Sequence, residues 1–125
     1  MGKKKVILFI EDDLPTVEVY KTALEHAGFE VETALSGNEG IRKIKAKAPD
    51  LILLDFLLPD MNGMEVLKEI REQKDVKDVP IFILTNHTDK KLGQKGLFLK
   101  NEKYLLKTEH TPRELVEVIK KELKT

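Results

Sequence analysis

Three features of this sequence predict an α/β fold of five consecutive βα units, a doubly wound, five-stranded parallel sheet with helices on both faces. Five short apolar runs alternate with amphipathic stretches along the chain. The clearest runs, at residues 6–10, 51–54 and 81–84, are apolar throughout and not at every second position. That pattern suits strands covered on both faces. Strand and helix patterns also take strict turns, the order that builds a parallel sheet through right-handed crossovers.

The first strand is expected at 6–10. The helix after it, 14–27, places Val17, Tyr20, Leu24 and Ala27 on one face, with Gly28 as its stop. A weaker second strand covers 31–34. Ser36 then opens a helix, with Glu39 three residues on as a capping box. Its apolar face is Ile41, Ile44 and Ala48, and Pro49 ends it. The third strand, 51–54, leads through a loop to a helix over 63–73 that buries Met64, Leu67 and Ile70. The fourth strand is 81–84. The fourth helical stretch, 88–99, is irregular: it holds Gly93 and Gly96, each costing about 0.5–1 kcal/mol against alanine inside a helix. A brief fifth strand covers 104–106. Thr111, Pro112 and Glu114 begin the last helix with a second capping box, and Leu115, Val118, Ile119 and Leu123 form its core face.

Composition narrows the function. The chain has 125 residues, enough for one domain with its own core. Its 22 basic and 22 acidic residues cancel, so charge gives no argument for direct nucleic-acid binding or for a membrane surface. Cysteine is absent, which excludes disulfides, zinc–thiolate sites and thiol catalysis and fits a cytoplasmic location. No apolar stretch approaches the roughly 20 residues of a transmembrane helix. Lys3, Lys4 and Lys5 read as a solvated entry to the first strand. His26, His87 and His110 lack metal-ligand spacing.

The chemistry concentrates in acids at strand ends. The first strand runs into Glu11, Asp12 and Asp13, and the third ends at Asp55. In doubly wound sheets the binding crevice lies at the carboxyl ends of the strands, where strand order reverses. Clustered carboxylates repel one another unless a cation neutralises them. Mg²⁺ suits such a set, because it takes hard oxygen ligands and leaves positions for phosphate oxygens. A carboxylate so shielded can accept a phosphoryl group. Asp13 reads instead as the N-cap of the first helix. Pro59 and Gly63 read as backbone supports, Gly63 as a residue able to take a conformation closed to others.

Four segments carry a family resemblance: Ile10-Glu11-Asp12-Asp13; Leu53-Leu54-Asp55-Phe56-Leu57-Leu58-Pro59-Asp60-Met61-Asn62-Gly63; Ile83-Leu84-Thr85; and Tyr104-Leu105-Leu106-Lys107. Each follows a different expected strand, in the right order. The chain as a whole resembles the receiver domain of two-component response regulators. The resemblance implies a flavodoxin-like fold with strand order 2-1-3-4-5 and a stand-alone receiver domain over 1–125. It implies that Asp55 is the phosphoacceptor. Asp12 then matches the main carboxylate ligand of Mg²⁺, Glu11 the neighbouring acid that reaches the metal through water, and Leu57 the backbone carbonyl ligand. Thr85 matches the hydroxyl that bonds a phosphoryl oxygen, Lys107 the ammonium that pairs with the acceptor, and Tyr104 the aromatic that turns inward as Thr85 moves. The implied donor is a histidine kinase or a histidine phosphotransfer protein, and the implied output is a protein partner not identified by the sequence. The domain would be a signalling protein and not an enzyme in the ordinary sense, a monomer or weak dimer that assists its own phosphorylation and dephosphorylation.

The sequence departs from the family at three places. Thr108 follows Lys107 where the family usually has a proline after a cis bond, so either the bond stays cis under strain or Lys107 is aimed differently. Asn86 stands where the family prefers alanine or glycine, and slowed chemistry is expected. Lys100, Asn101, Glu102 and Lys103 replace a segment that usually contains Gly-Ala, on a face many members use for dimerisation and output. These departures leave two other readings open: a receiver-like binding module that is not phosphorylated, and an engineered or reconstructed scaffold, which the dense Lys/Glu surface resembles. A flavin-binding protein of similar fold is disfavoured, since Glu11, Asp12 and Asp13 would repel a phosphate without a metal.

Overall fold

The computed structural model describes residues 4–56, 58–76, 78–85, 102–106 and 111–124; of Thr85, Glu102, Lys103, Tyr104 and Leu106 it describes the backbone alone. Five parallel strands form one sheet in the order β2-β1-β3-β4-β5. They are β1 (Val6–Ile10), β2 (Glu30–Ala34), β3 (Leu51–Asp55), β4 (Ile81–Thr85) and β5 (Glu102–Leu106). Four helices are described: α1 (Leu14–His26), α2 (Gly37–Ala46), α3 (Gly63–Arg71) and α4 (Pro112–Leu123), with a short 3-10 turn at Lys74–Val76. The expected helical stretch 88–99 lies outside the described residues.

The continuous apolar runs explain both layers. Alternate residues of a strand point to opposite faces. Ile7 and Phe9 of β1, Leu51 and Leu53 of β3, and Phe82 and Leu84 of β4 pack with Val17, Tyr20 and Leu24 of α1 and Leu115, Val116 and Ile119 of α4. Leu8 and Ile10, Ile52 and Leu54, and Ile81 and Ile83 pack on the other face with Ile41 and Ile44 of α2 and Val66, Leu67 and Ile70 of α3. A strand apolar at every position is thus divided between two cores. Phe9 and Tyr20 meet edge-to-face at 6.0 Å between ring centres, tying β1 to α1.

Several helix ends follow local chemistry. The Asp13 carboxylate accepts the Thr16 N–H at 3.1 Å, as expected of an N-cap. Gly28 follows α1 at φ +101°, a conformation natural to glycine. Thr111 and Glu114 form the expected reciprocal box at α4. Four details correct the sequence expectations. Glu39 does not close a capping box on Ser36: one carboxylate oxygen reaches one residue further back, to the Leu35 N–H at 3.0 Å, and the other lies 3.5 Å from the Lys43 ammonium. The α2 helix stops at Ala46, with Lys47 extended, so Ala48 is exposed and Pro49 takes the buried position. Val66 and Val116 are buried core residues that the sequence reading left out, while the expected Met64 and Val118 pack against the cores half-buried. Gly63 does not have positive φ. Its reason is space: a Cβ there would lie 2.8 Å from Phe56 Cδ2 and 3.1 Å from Phe56 Cα.

Candidate functional site

Strand order places the site. The chain leaves β1 toward β2 on one side, and β3 is laid down on the other, so the crevice opens between β1 and β3. Ile10 pairs with Leu54 in register. The next residue on each strand is acidic: Glu11 and Asp55. Both lie at the sheet's carboxyl edge and both are buried, at 1% and 7% exposure. They are the two buried charged residues among those described, so their burial calls for a compensating partner.

Backbone geometry supplies part of that compensation. Glu11 extends β1 by one rung, its N–H donating to the Ala34 carbonyl at 2.9 Å. Its Oε2 accepts the N–H groups of Asp12 and Asp13 at 3.0 and 3.3 Å. The turn out of β1 therefore folds back on the Glu11 carboxylate and aims Asp12 into the same opening. Glu11, Asp12 and Asp55 can each bring a carboxylate oxygen to a point where all three lie within 4.8 Å of one another. Asp12 is exposed, yet its carboxyl is held above the ordinary value. Partial desolvation is the largest cause; its own backbone N–H opposes this, and a hydrogen bond and negative charge from Glu11, with the charge of Asp13, add to the rise. Three hard oxygens from two strand ends fit a small divalent cation such as Mg²⁺.

The loop from β3 to α3 frames the other side. Gly63 N–H donates to the Phe56 carbonyl at 2.7 Å and closes the loop at its base. Asn62 caps α3 through the Glu65 N–H at 2.9 Å, and Glu65 answers on the Asn62 N–H at 3.4 Å. Asp60 leaves the loop altogether and accepts the Gly37 and Asn38 N–H groups at 2.8 and 2.9 Å. Its carboxyl is held below the ordinary value: desolvation, the largest single influence, pushes upward, but the N–H groups of Asn38 and Gly37, with those of Asp60 and Met61, outweigh it. Sequence reasoning missed Asp60 and the Asn62 cap. The Asn62–Glu65 spacing was a usable signal for the cap; nothing local in the sequence joins Asp60 to a helix more than twenty residues away.

The residues singled out from sequence divide into two groups. Glu11, Asp12 and Asp55 are brought together. Thr85 ends β4, with Ile83 and Leu84 paired to Leu54 and Asp55, so its backbone lies at the same edge of the sheet. Tyr104 lies mid-β5, in register with Ile83. Leu57, Asn86, His87, Lys107 and Thr108 lie outside the described residues, as do the side chains of Thr85 and Tyr104.

Residues 7–120 match the response regulator receiver domain. The chain belongs to that family. The receiver domain is 37% identical over 115 residues to the alkaline phosphatase synthesis transcriptional regulatory protein PhoP of Bacillus subtilis (strain 168), covering 92% of this chain and 46% of the relative. It thus spans about half the length of the curated relatives it matches. Among solved structures it is similar to a CheY-like response regulator receiver domain protein from Methanospirillum hungatei JF-1, at 31% identity and a TM-score of 0.86, covering 98% of this chain and 95% of that one. It is also similar to the receiver domain of sensor histidine kinase PA1611 from Pseudomonas aeruginosa PAO1, whose structure has a magnesium ion coordinated in the active site cleft. That match has 27% identity and a TM-score of 0.85, over 98% of this chain and 100% of the other. Receiver domains are phosphoacceptor switches of two-component signalling. Among the described residues no helix is long and apolar enough to cross a membrane.

Proposed function

We propose that residues 1–125 form one receiver domain in which Asp55 accepts a phosphoryl group, with Mg²⁺ held by Glu11, Asp12, Asp55 and the Leu57 carbonyl. The observation that carries this is the convergence of Glu11, Asp12 and Asp55 at the switch point of the sheet, with two of the three buried. A structural role alone gives no reason to collect three acids where each raises the cost of the others.

A carboxylate oxygen of Asp55 attacks the phosphorus of a phosphohistidine on a histidine kinase or phosphotransfer protein. The new O–P bond forms as the P–N bond breaks, and the imidazole leaves with its electron pair and takes up a proton. With acetyl phosphate as donor, acetate leaves instead. When bound, Mg²⁺ neutralises the acid cluster and the oxygens of the transferred group. The rest falls to the chain. Burial of Asp55 limits competing water, and its place on a rigid strand fixes the line of attack. The Thr85 hydroxyl donates to one phosphoryl oxygen, and the Lys107 ammonium pairs first with Asp55 and then with the phosphoryl group. In the reverse phase, water attacks the phosphorus in line, the acyl phosphate bond breaks, and Asp55 returns as a carboxylate. Phosphorylation biases a two-state equilibrium through Thr85 and Tyr104, and a protein partner senses the outcome.

The assignment of Asp55 is tested by chemical trapping. The protein is incubated with acetyl phosphate and Mg²⁺, then treated with borohydride, which reduces an aspartyl phosphate to homoserine. Peptide mapping is expected to find homoserine at position 55. Homoserine at another aspartate, or at none while a phosphoryl group is present, contradicts the assignment.

A further inference from the structure

The loop that carries the chain from Asp55 into α3 is held at its base and, separately, at its tip. Closure at the base needs only the Gly63 N–H to the Phe56 carbonyl, at 2.7 Å, and the Asn62 cap on α3. The tip makes a contact that local closure does not require. Asp60 spends both carboxylate oxygens on α2, Oδ1 on the Gly37 N–H at 2.8 Å and Oδ2 on the Asn38 N–H at 2.9 Å. These N–H groups have no partner within their own helix. Ser36, the helix's own N-cap, takes the Glu39 N–H at 3.1 Å and leaves those two for Asp60. The helix end is thereby shared between its own cap and a carboxylate from a different loop.

Apolar packing reinforces the bridge. Met61 fills the hollow over Gly37, where a Cβ would lie 2.3 Å from Met61 Cγ and 2.5 Å from its Sδ. Glycine at position 37 is what lets the loop approach so closely. Two charge-assisted hydrogen bonds and an apolar contact thus tie the tip of the loop to the first turn of α2. The lowered pKa of Asp60 agrees with a carboxylate held ionised by these N–H groups.

We propose that Asp60 is a positioning residue for phosphoryl acceptance: its bridge to Gly37 and Asn38 holds the 56–62 loop in the conformation that the acid pocket needs. The inference rests on the reading of Asp55 as phosphoacceptor and goes beyond it. Phe56 follows Asp55 directly, so freedom in the loop becomes freedom in the pocket. Mg²⁺ demands near-ideal octahedral geometry, and small displacements of reacting groups carry large kinetic costs. The bridge also makes the first turn of α2 report on the pocket, because the loop and that turn move together.

The test compares wild type with Asp60→Ala, Asp60→Asn and Ser36→Ala. Ser36→Ala removes a cap from the same helix but leaves the bridge. Mg²⁺ affinity is measured by calorimetry, phosphoryl uptake from acetyl phosphate by intact mass, folding by urea titration, and the Gly37 and Asn38 amides by nitrogen-15 spectra. Asp60→Ala and Ser36→Ala are expected to lose similar stability. Asp60→Ala alone is expected to weaken Mg²⁺ about tenfold and to slow phosphoryl uptake. Asp60→Asn, which keeps the shape and a single acceptor oxygen, is expected to fall between, and it carries the comparison should Asp60→Ala not fold. In wild type and Ser36→Ala the Gly37 and Asn38 amides are expected to shift on adding Mg²⁺; in the Asp60 variants that response is lost or reduced. Wild-type Mg²⁺ affinity and uptake in a folded Asp60 variant overturn the proposal. So does an equal loss in Ser36→Ala, which would make the effect one of helix stability alone. A wild type that neither binds Mg²⁺ nor takes up phosphate overturns the phosphoacceptor reading itself, and the positioning role with it. The wild-type arm therefore separates the two failures.

Discussion

Asp55 owes its place in the acid cluster to where β3 stops. One residue earlier, Leu54 is fully buried in a core; one residue later, Phe56 begins a loop. At that edge the carboxylate meets Glu11 and Asp12 rather than solvent alone. Removing one charge relieves the crowding. Asp12→Asn is expected to stabilise the protein in Mg²⁺-free buffer at neutral pH by about 0.5 kcal/mol, since solvent screens an exposed group. The same change is expected to weaken Mg²⁺ binding about tenfold or more by calorimetry. A variant that is less stable without metal would mean that the three acids do not repel in the folded state. Asp60 has the opposite character. Its folded pKa lies below the unfolded one, so the stability it contributes is present above the ordinary aspartate value near pH ~4 and is lost as pH falls through the folded value. Urea titrations of wild type and Asp60→Asn are therefore expected to differ at pH 7 and to converge in strong acid. The gathering of the three acids was legible at this scale, because Glu11 and Asp55 directly follow apolar runs, Asp12 comes next after Glu11, and strand ends are where doubly wound sheets do their chemistry. Asp60 was not legible, since its partners Gly37 and Asn38 are joined to it by tertiary approach and not by spacing.

At the scale of elements, capping and close approach decide the details. Asn62 and Glu65 satisfy the first turn of α3 reciprocally, and Asn62→Ala is expected to cost about 1 kcal/mol in chemical denaturation. Gly63→Ala is expected to cost more, about 1–3 kcal/mol, because the new methyl meets Phe56 backbone as well as its ring. A near-neutral Gly63→Ala would show that the loop relaxes freely and is not held at its base. Strands β1, β3 and β4 were legible because their runs are apolar at every position, which leaves few alternatives to a sheet covered twice. Helix ends were less so. Glu39 at the fourth position from Leu35 looks like a capping box on Ser36, but Lys43 offers it a charge on the other side, and the carboxylate settles between Lys43 and the Leu35 N–H. Ala48 looked like a third member of the α2 stripe, but the helix ends at Ala46 before reaching it.

At the scale of the whole molecule, two cores on one sheet give a rigid platform, and the site sits at the edge where the platform's strand order reverses. An ion that binds only the folded platform must stabilise it by mass action: at a concentration 100 times its dissociation constant the gain is about 2.7 kcal/mol. Mg²⁺ is therefore expected to raise the unfolding midpoint of wild type, with little effect on a protein carrying both Asp12→Asn and Asp55→Asn. The alternation of strand and helix patterns made the parallel, doubly covered architecture legible; the order 2-1-3-4-5 came from the family resemblance alone. The most direct test of the central claim is the intact mass of the protein after incubation with acetyl phosphate, with and without Mg²⁺, beside Asp55→Asn. A gain of one phosphoryl group is expected in wild type, requiring Mg²⁺ and absent from Asp55→Asn. A wild type that binds neither Mg²⁺ nor a phosphoryl group, or an Asp55→Asn variant that gains the same mass, would contradict it.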